Sequence, residues 1–566
     1  MKSKALVRIN LSTHQVGIFD LPEDLRRLGG RGLGGALLLN EIDPACEPLS
    51  LENILIIAPG TLVGTIAPSA TRVSVCGKSP LTGGIKESNA GGMAARALSS
   101  LGIAAIVLEG ESSDWQILRI TGNGMEFIPA DDLVGLGNYR LHEKLREAYG
   151  PKASILSIGP AGERLLPVAT VAINDIEGRP CRHAARGGLG AVMGAKRLKA
   201  IVIEPGEVRN TPADQEKFAQ VSRAFARRVA EQRAIFTQLG TASLVEVINL
   251  VGGLPIENFS RGQSDKAEAL TGKRLAELCR QRGGRTGHRC APGCVIRCSN
   301  VFVDQEGQYV TSSLEYETIG LLGSNCGIFD LDAVAQMDRI CDDYGIDTIE
   351  IGNALAVAME GGLLKFGDIE EAKKLLHEVG RGGLLGRLLG QGALTTGKVL
   401  GVRRVPVVKG QGLAAYDPRA LKGTGVTYAT SPMGADHTAG NCLPGRGGVN
   451  IYEPHGQVEL SRTLQIVTSI CDTLGFCLFV GAVPENLGVF ADLLGSYLGS
   501  PMDTEELVEL GKQVLRTEVE FNRRAGITEA ANRLPRFFTT EPLGERQLVF
   551  DVPVEDLQGF YRFLEG

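Results

Sequence analysis

The 566 residues hold no run of basic residues, no apolar stretch long enough to cross a bilayer and no low-complexity tract. With acids and bases mixed along the chain and a net charge of −6, there is no basic stripe to serve a nucleic-acid partner. The apolar stretch 476–483 is far too short to span a membrane. The opening segment MKSKALVRINLSTHQ alternates apolar and polar residues from Ala5 onward, which predicts a strand rather than a signal peptide. A soluble, cytoplasmic protein is the expectation. Twelve cysteines in so long a chain do not make a disulfide scaffold, which small secreted domains need and large cores do not. Most of them, such as Cys46, Cys76, Cys279 and Cys326, stand alone and read as inert thiols. Glycine is the excess: 74 residues, roughly twice the average usage of about 7%. The glycines follow no collagen period, so they predict tight turns and close backbone approaches around a large buried ligand.

A chain of this length makes two to four domains. Short apolar runs at 53–58, 72–76, 103–109, 115–120, 153–158 and 199–204, separated by Gly, Pro and Asn turns, predict strands. Small residues at 89–101 suggest a helical connection. From Thr211 and Pro212, a good helix start, helical spacing takes over at 214–239, 331–343, 348–360, 370–379, 458–474 and 504–525. The fold class expected is α+β: a β-rich domain at 1–208, a largely helical domain at 209–405 and a helical C-terminal domain at 406–566. No internal repeat is visible apart from two similar hexapeptides.

Cys290, Cys294 and Cys298 fall within nine residues in a loop containing Pro292 and Gly293. Soft thiolates converging in this way suit zinc or an iron–sulfur cluster. A cubane takes four thiolates, the last from elsewhere; a zinc site could draw on His288 instead. The two hexapeptides, Asp342 to Asp347 and Asp472 to Cys477, share the form D-x-x-G-[apolar]-[D/C]. Each follows a helical segment, where Gly supplies a C-terminal cap. Their carboxylates could receive N–H donors from a polar heterocycle, and Cys477 would complete a set of four thiols. No G-x-x-x-x-G-K-[ST] loop occurs, so a P-loop ATPase is not expected.

In order and spacing these motifs resemble the tungsten-containing aldehyde ferredoxin oxidoreductase family over essentially the whole chain. The resemblance implies a four-iron four-sulfur cluster on Cys290, Cys294, Cys298 and Cys477. It implies a tungsten bis-pterin cofactor, with molybdenum not separable from tungsten, held at the domain interface by Asp342, Asp347 and Asp472. Thr71-Arg72, the segment 78–83 and Ser88-Asn89-Ala90-Gly91-Gly92 are similar to the family's first pterin-binding segment, which points to Arg72, Asn89 and Gly91. The segment His183-Ala184-Ala185-Arg186-Gly187-Gly188 is similar to its second, which points to His183, Ala184 and Arg186. Asn89 and the carbonyl of Ala184 would help hold a Mg²⁺ ion bridging the pterin phosphates. Glu317 and His437 fall at the family's acid/base positions, and Tyr416 matches an active-site position of its formaldehyde-type members.

The implied reaction is oxidation of a small aldehyde to the acid, with electrons passing through the cluster to ferredoxin or another iron–sulfur acceptor. Alternatives are a same-architecture enzyme acting on a non-aldehyde substrate, a low-potential reductase subunit, and a non-catalytic iron–sulfur or zinc protein. Three departures stand out. The triplet is C-x-x-x-C-x-x-x-C, one residue longer than usual between its first two cysteines. Ala185 replaces a glycine. No E-x-x-H pair occurs, so the single iron that some members hold between subunits is not expected, while a homodimer or a partner subunit remains compatible.

Overall fold

The computed structural model describes residues 4–565. Twelve strands build the N-terminal part: β1 (Ala5–Asn10), β2 (Gln15–Asp20), β3 (Leu55–Pro59), β4 (Val73–Lys78), β5 (Ile85–Ala90), β6 (Ile103–Glu109), β7 (Gln116–Thr121), β8 (Gly124–Pro129), β9 (Ser154–Ser157), β10 (Val171–Ile173), β11 (Arg182–Ala184) and β12 (Leu198–Ile203). They form two six-stranded sheets, ordered β2-β1-β6-β3-β4-β5 and β8-β7-β12-β9-β10-β11. The second order is the first with six added to every label. The senses agree as well: β1/β6 and β7/β12 are the parallel pairs, each with a register shift at its first residues, and all other pairs are antiparallel. The N-terminal part is thus a structural repeat, which the sequence did not disclose.

The strands alternate to put one set of side chains on each face. In β3, Leu55 and Ile57 face a core shared between the two sheets, while Ile56 and Ala58 face helix α1 (Gly30–Glu41). A strand buried on both sides needs apolar residues throughout, hence the run LIIA. The shared core also takes α2 (Ala94–Ser100). Helix α3 (Asn138–Tyr149) covers the outer face of the second sheet with Leu141 and Leu145, and α4 (Leu189–Ala195) returns to the shared core. The helical connection expected at 89–101 begins only at Ala94, because Asn89 and Ala90 complete β5 and Gly92 adopts a φ of +101°.

The remainder is mostly helical and buries one continuous core, reaching to Leu564 and taking in Leu62, Leu166 and Val168 of the N-terminal part. Helix α5 (Gln215–Gln232) starts not at Pro212 but at Asp214, whose carboxylate caps the Lys217 amide. Helices α6 (Leu331–Tyr344) and α7 (Thr348–Glu360) flank the first hexapeptide. Helix α8 (Gln457–Leu474) leads into the second, and α9 (Thr504–Arg524) packs on α8 and α1. Among the described residues no helix is long and apolar enough to cross a membrane.

Candidate active site

Each hexapeptide docks on one half of the repeat in the same way. Gly345 caps α6 at φ +69° and Gly475 caps α8 at φ +85°. A Cβ on Gly159 would lie 2.3 Å from the Tyr344 carbonyl carbon; one on Gly60 would lie 2.1 Å from the Gly475 Cα. Only glycine permits these backbone contacts. Beside them the Thr170 amide donates to Gly345 O, and the Arg72 amide donates to Gly475 O. Ile346 bridges Ala169, and Phe476 bridges Ala70. The two motifs thereby both bring their first aspartates, Asp342 and Asp472, into the wall of one cavity.

The partners of those aspartates repeat too. Ala90 pairs with Val73 and Ala184 with Val171 at matching ends of the two sheets, which makes Asn89 and His183 equivalent. Asn89 Nδ2 donates to Asp472 Oδ1 at 3.3 Å, and His183 Nε2 lies 3.0 Å from Asp342 Oδ1. Behind Asp472 stands buried Arg31, 3.1 Å from it and paired with Glu518 at 2.7 Å. Burial and nearby Glu87 push the Asp472 carboxyl up to about 8, against the pull of Arg31. Behind Asp342 stands Asp338; the Ser313 hydroxyl lies 2.8 Å from Asp338 and 3.0 Å from Asp342. Burial, and then Asp342, raise the Asp338 carboxyl well above its ordinary range. Arg31, Glu518 and Asp338 were not singled out from the sequence, since isolated charged residues on helices look like solvated faces.

The four cysteines gather at one end of the cavity. Cys477 is held by its amide donating to Ser69 O at 3.0 Å, and Arg72 Nη2 lies 3.0 Å from its sulfur. Ser69 also donates its amide to Gly293 O at 3.0 Å and accepts from the Val295 amide at 3.1 Å, so one residue fixes both cysteine-bearing segments. The extra residue in the triplet is absorbed by a turn in which the Cys294 amide donates to Ala291 O and exposed Gly293 takes φ +88°. Cys290 stays in the group: its sulfur would lie 3.1 Å from a Cβ on Gly91. A hydrogen bond between Cys290 and Cys294 raises the first thiol and lowers the second; burial, then Glu315, raises Cys298. Burial opposes the charge of Arg72, but Cys477 and Cys290 more than offset it. His288 does not join: its Nε2 lies 3.0 Å from buried Asp175. Among the described residues no three His, Cys, Asp or Glu side chains close on one point as a single ion requires.

The acid/base candidates sit on the same cavity. Glu317 Oε2 accepts from the Ala415 amide at 2.7 Å, while Oε1 has no hydrogen-bond partner. His437 Nε2 is 3.2 Å from that free Oε1, without hydrogen-bond alignment, and His437 Nδ1 is likewise unpartnered. Burial raises the Glu317 carboxyl, with His437 pulling it down. On the other side of His437, burial opposes ionisation of Asp436, yet Lys86, at 2.9 Å, and Arg186 hold it well below the usual carboxylate range. The Tyr416 ring stacks at a tilt on Tyr316 at 5.0 Å and on His437 at 5.7 Å. Burial, then Glu317, keep its phenol well above its ordinary value.

Arg72, Asn89, Gly91, His183, Asp342, Asp472, Cys290, Cys298, Glu317, Tyr416 and His437 all line this cavity of about 340 Å³. Ala184, Arg186, Asp347, Cys294 and Cys477 are not among its lining residues. Arg186 Nε lies 3.0 Å from Asp347, and its Nη2 donates to Gly412 O at 2.6 Å; Asp347 caps α7 by accepting from the Ile349 amide. Buried, unpartnered polar atoms cluster around the cavity (Arg72 Nε, Arg182 Nε, Glu317 Oε1, His437 Nδ1). Such atoms cost about 1–3 kcal/mol each when left unpaired, so the wall is built for a large polar ligand, and the donor set suits a pterin with phosphates.

A doubled sheet scaffold holding two D-x-x-G motifs, four gathered thiols and a buried Glu–His pair is the frame of a redox enzyme. The family model for the N-terminal domain of aldehyde ferredoxin oxidoreductase matches residues 6–205, and that for its domains 2 and 3 matches residues 220–564. The chain belongs to the aldehyde ferredoxin oxidoreductase family of enzymes. The tungsten-containing aldehyde ferredoxin oxidoreductases of Pyrococcus furiosus and Thermococcus kodakarensis are each 34% identical to it, over 95% of this chain and 92% of theirs. A protein named aliphatic sulfonate oxidoreductase, WOR-like subunit, from Pyrococcus furiosus is 27% identical over 91% of this chain and 85% of its own. Among solved structures, the active-site complex BamBC of benzoyl coenzyme A reductase shares the fold, with a TM-score of 0.82 and 20% identity over all of this chain and 94% of that one.

Proposed function

We propose that the chain oxidises an aldehyde to its carboxylic acid at a tungsten bis-pterin centre and passes the electrons through an iron–sulfur cluster to a ferredoxin-type acceptor in the cytoplasm. Aldehyde and water become carboxylate, protons and a pair of electrons. The observation that carries this reading is the Glu317–His437 pair, with Oε1 and Nδ1 free, on the same cavity as the cysteine group. Arg72, Asn89, Gly91, His183, Ala184, Arg186, Asp342, Asp347 and Asp472 are the residues to hold the pterins, with Asn89 and the Ala184 carbonyl toward Mg²⁺. Cys290, Cys294, Cys298 and Cys477 are those to hold a [4Fe-4S] cluster. When bound, the tungsten centre supplies the two-electron oxidation that no side chain can perform.

The protein's share is positional and protonic. His437 Nε2 donates to the aldehyde oxygen and stabilises the charge that grows there. Glu317, its carboxyl raised by burial, accepts a proton from water at Oε1 while Ala415 fixes its other oxygen. Tyr416 and Tyr316 close one side of the pocket against water.

The names of relatives extend to a sulfonate oxidoreductase, so aldehyde turnover is the point to test. Anaerobically purified protein should contain tungsten or molybdenum together with iron, and should reduce a viologen dye with a small aldehyde. Zinc alone without iron, or metal-loaded protein inert toward every aldehyde, would overturn the reading.

A further inference from the structure

The repeat leaves two equivalent sheet edges, β2 and β8, and they are finished differently. Their hairpins correspond position by position. Leu21 donates its amide to Lys4 O at 3.0 Å, and Ala130 donates its amide to Trp115 O at 2.8 Å. Ala5 pairs with Asp20 and Gln116 with Pro129, which makes Asp20 equivalent to Pro129, Ile18 to Phe127 and Gly17 to Glu126. Along an antiparallel strand, residues bonded to the neighbour alternate with residues that point their backbone groups the other way. Leu21 is bonded inward, so Val16, Ile18 and Asp20 turn their N–H and C=O groups away from β1.

A bare strand edge is a template for another strand, and proteins guard it with charge, proline or a bulge. Edge β8 has such guards. Pro129 lacks an N–H at an outward position. Exposed Glu126 pairs with Arg119 at 2.8 Å, and the His14 ring stacks on Phe127 at 4.3 Å. Edge β2 has none of these. From Gln15 to Phe19 it carries neither charge nor proline, and Val16, Ile18 and Phe19 are 38%, 67% and 54% exposed. Among the described residues β1 is its only neighbouring strand. Open backbone groups beside exposed apolar side chains fit another strand, not a helix or a lipid surface.

The strand is also complementary to itself. A two-fold axis at Gly17 sets Val16 of each copy opposite Ile18 of the other, at positions where both backbones exchange N–H···O bonds. Directly opposed side-chain pairs of this kind are what stabilise a sheet. Gly17 then faces Gly17, which leaves room for the two Phe19 rings; a Cβ on Gly17 would lie 2.6 Å from the Phe19 ring of its own chain. Asp20 of each copy comes opposite His14 of the other. We propose that two copies of this chain join β2 to β2 about such an axis, fusing their first sheets into one. None of the β2 residues lines the cavity, so the inference stands apart from the reaction. A contact of this size lies at the small end of specific interfaces, and the dimer is a reversible one.

Sedimentation of the protein across ~1–100 µM tests it. The wild type should pass from one chain to two within that range, with a dissociation constant on the order of 10 µM. Amide exchange at Val16 and Ile18 should slow as the dimer forms. Ile18→Lys adds the kind of charge that guards natural edges, and Val16→Pro removes an outward N–H that the single chain does not use. Each should weaken dimerisation at least ~10-fold. Leu384→Lys, at an apolar side chain 85% exposed elsewhere on the surface, should leave it unchanged. A wild type still monomeric at ~100 µM would overturn the proposal, as would a dimer in which the Val16 and Ile18 amides exchange freely. So would a dimer indifferent to both β2 variants, or one weakened equally by Leu384→Lys.

Discussion

The two halves of the N-terminal repeat share one backbone and differ in chemistry. On the first half the docked motif ends in Cys477, and Arg72 lies against the sulfur. On the second it ends in Asp347, which caps α7 and faces Arg186. Arg72 and Thr170 occupy equivalent places, each donating its amide to the glycine carbonyl of its motif. The difference teaches how a doubled scaffold becomes asymmetric. Strand order, glycine contacts and the Asn89/His183 to Asp472/Asp342 contacts are kept, while the sixth residue of the motif and its arginine are exchanged. One half reaches the cysteine group; the other ends in a buried ion pair that carries no sulfur.

The sharpest break of that comparison is at the sixth position. Cys477→Asp would make the first half chemically like the second. The variant is expected to lose essentially all cluster iron and all dye reduction while remaining folded, read by iron analysis and circular dichroism. Asp347→Ala should retain its iron. If both variants keep iron, the halves are not divided as described. The Glu317–His437 pair belongs to neither half, and Glu317→Gln tests the base role proposed for it. Turnover should fall ~10²–10⁴-fold, with metal and iron content unchanged. In the wild type the base must be ionised, and burial raises the Glu317 carboxyl. Activity should therefore fall with falling pH at a value above the ordinary glutamate midpoint of about 4.3, and this acid limb should vanish in the variant. Full turnover by Glu317→Gln would remove it from the mechanism.

A structural break should hit the halves equally. An added methyl on Gly60 or on Gly159 would meet backbone of the docked motif, at 2.1 and 2.3 Å. Gly60→Ala and Gly159→Ala should each cost about 2–4 kcal/mol, seen as a lowered thermal midpoint. A loss confined to one of them would show that only one docking contact bears on stability.

What was legible in the sequence follows from burial. Strand β6, apolar on both faces, and helix α7 were read to the residue, though the capping of α7 by Asp347 was not. Strands β10 and β11 were not, because they have three residues each and β11 reads Arg-His-Ala. The repeat was hidden because its halves match in hydrogen bonds rather than side chains: Asn89 stands where His183 does, and Arg72 where Thr170 does. The α+β class and the family were legible in the motifs. Cysteine spacing alone left zinc open, and the fourth cysteine, Cys477, came from the second hexapeptide; the structure takes His288 out of the ligand set by its contact with Asp175.

The smallest effect is expected where the halves are most alike. His183 and Asn89 each offer a nitrogen to a motif aspartate, at 3.0 and 3.3 Å. His183→Asn would make the second half copy the first at this position. Asparagine is shorter, and the Thr170 hydroxyl, 2.7 Å from His183 Nδ1, would lose its partner. That loss is worth about 0.5–1.5 kcal/mol, so the thermal midpoint should drop slightly and turnover should stay within several-fold of the wild type. His183→Ala removes the nitrogen altogether and should cost more than the asparagine variant, in both stability and tungsten content. If His183→Asn is as damaging as His183→Ala, the contact depends on the imidazole itself, and the equivalence of the two halves ends at the backbone.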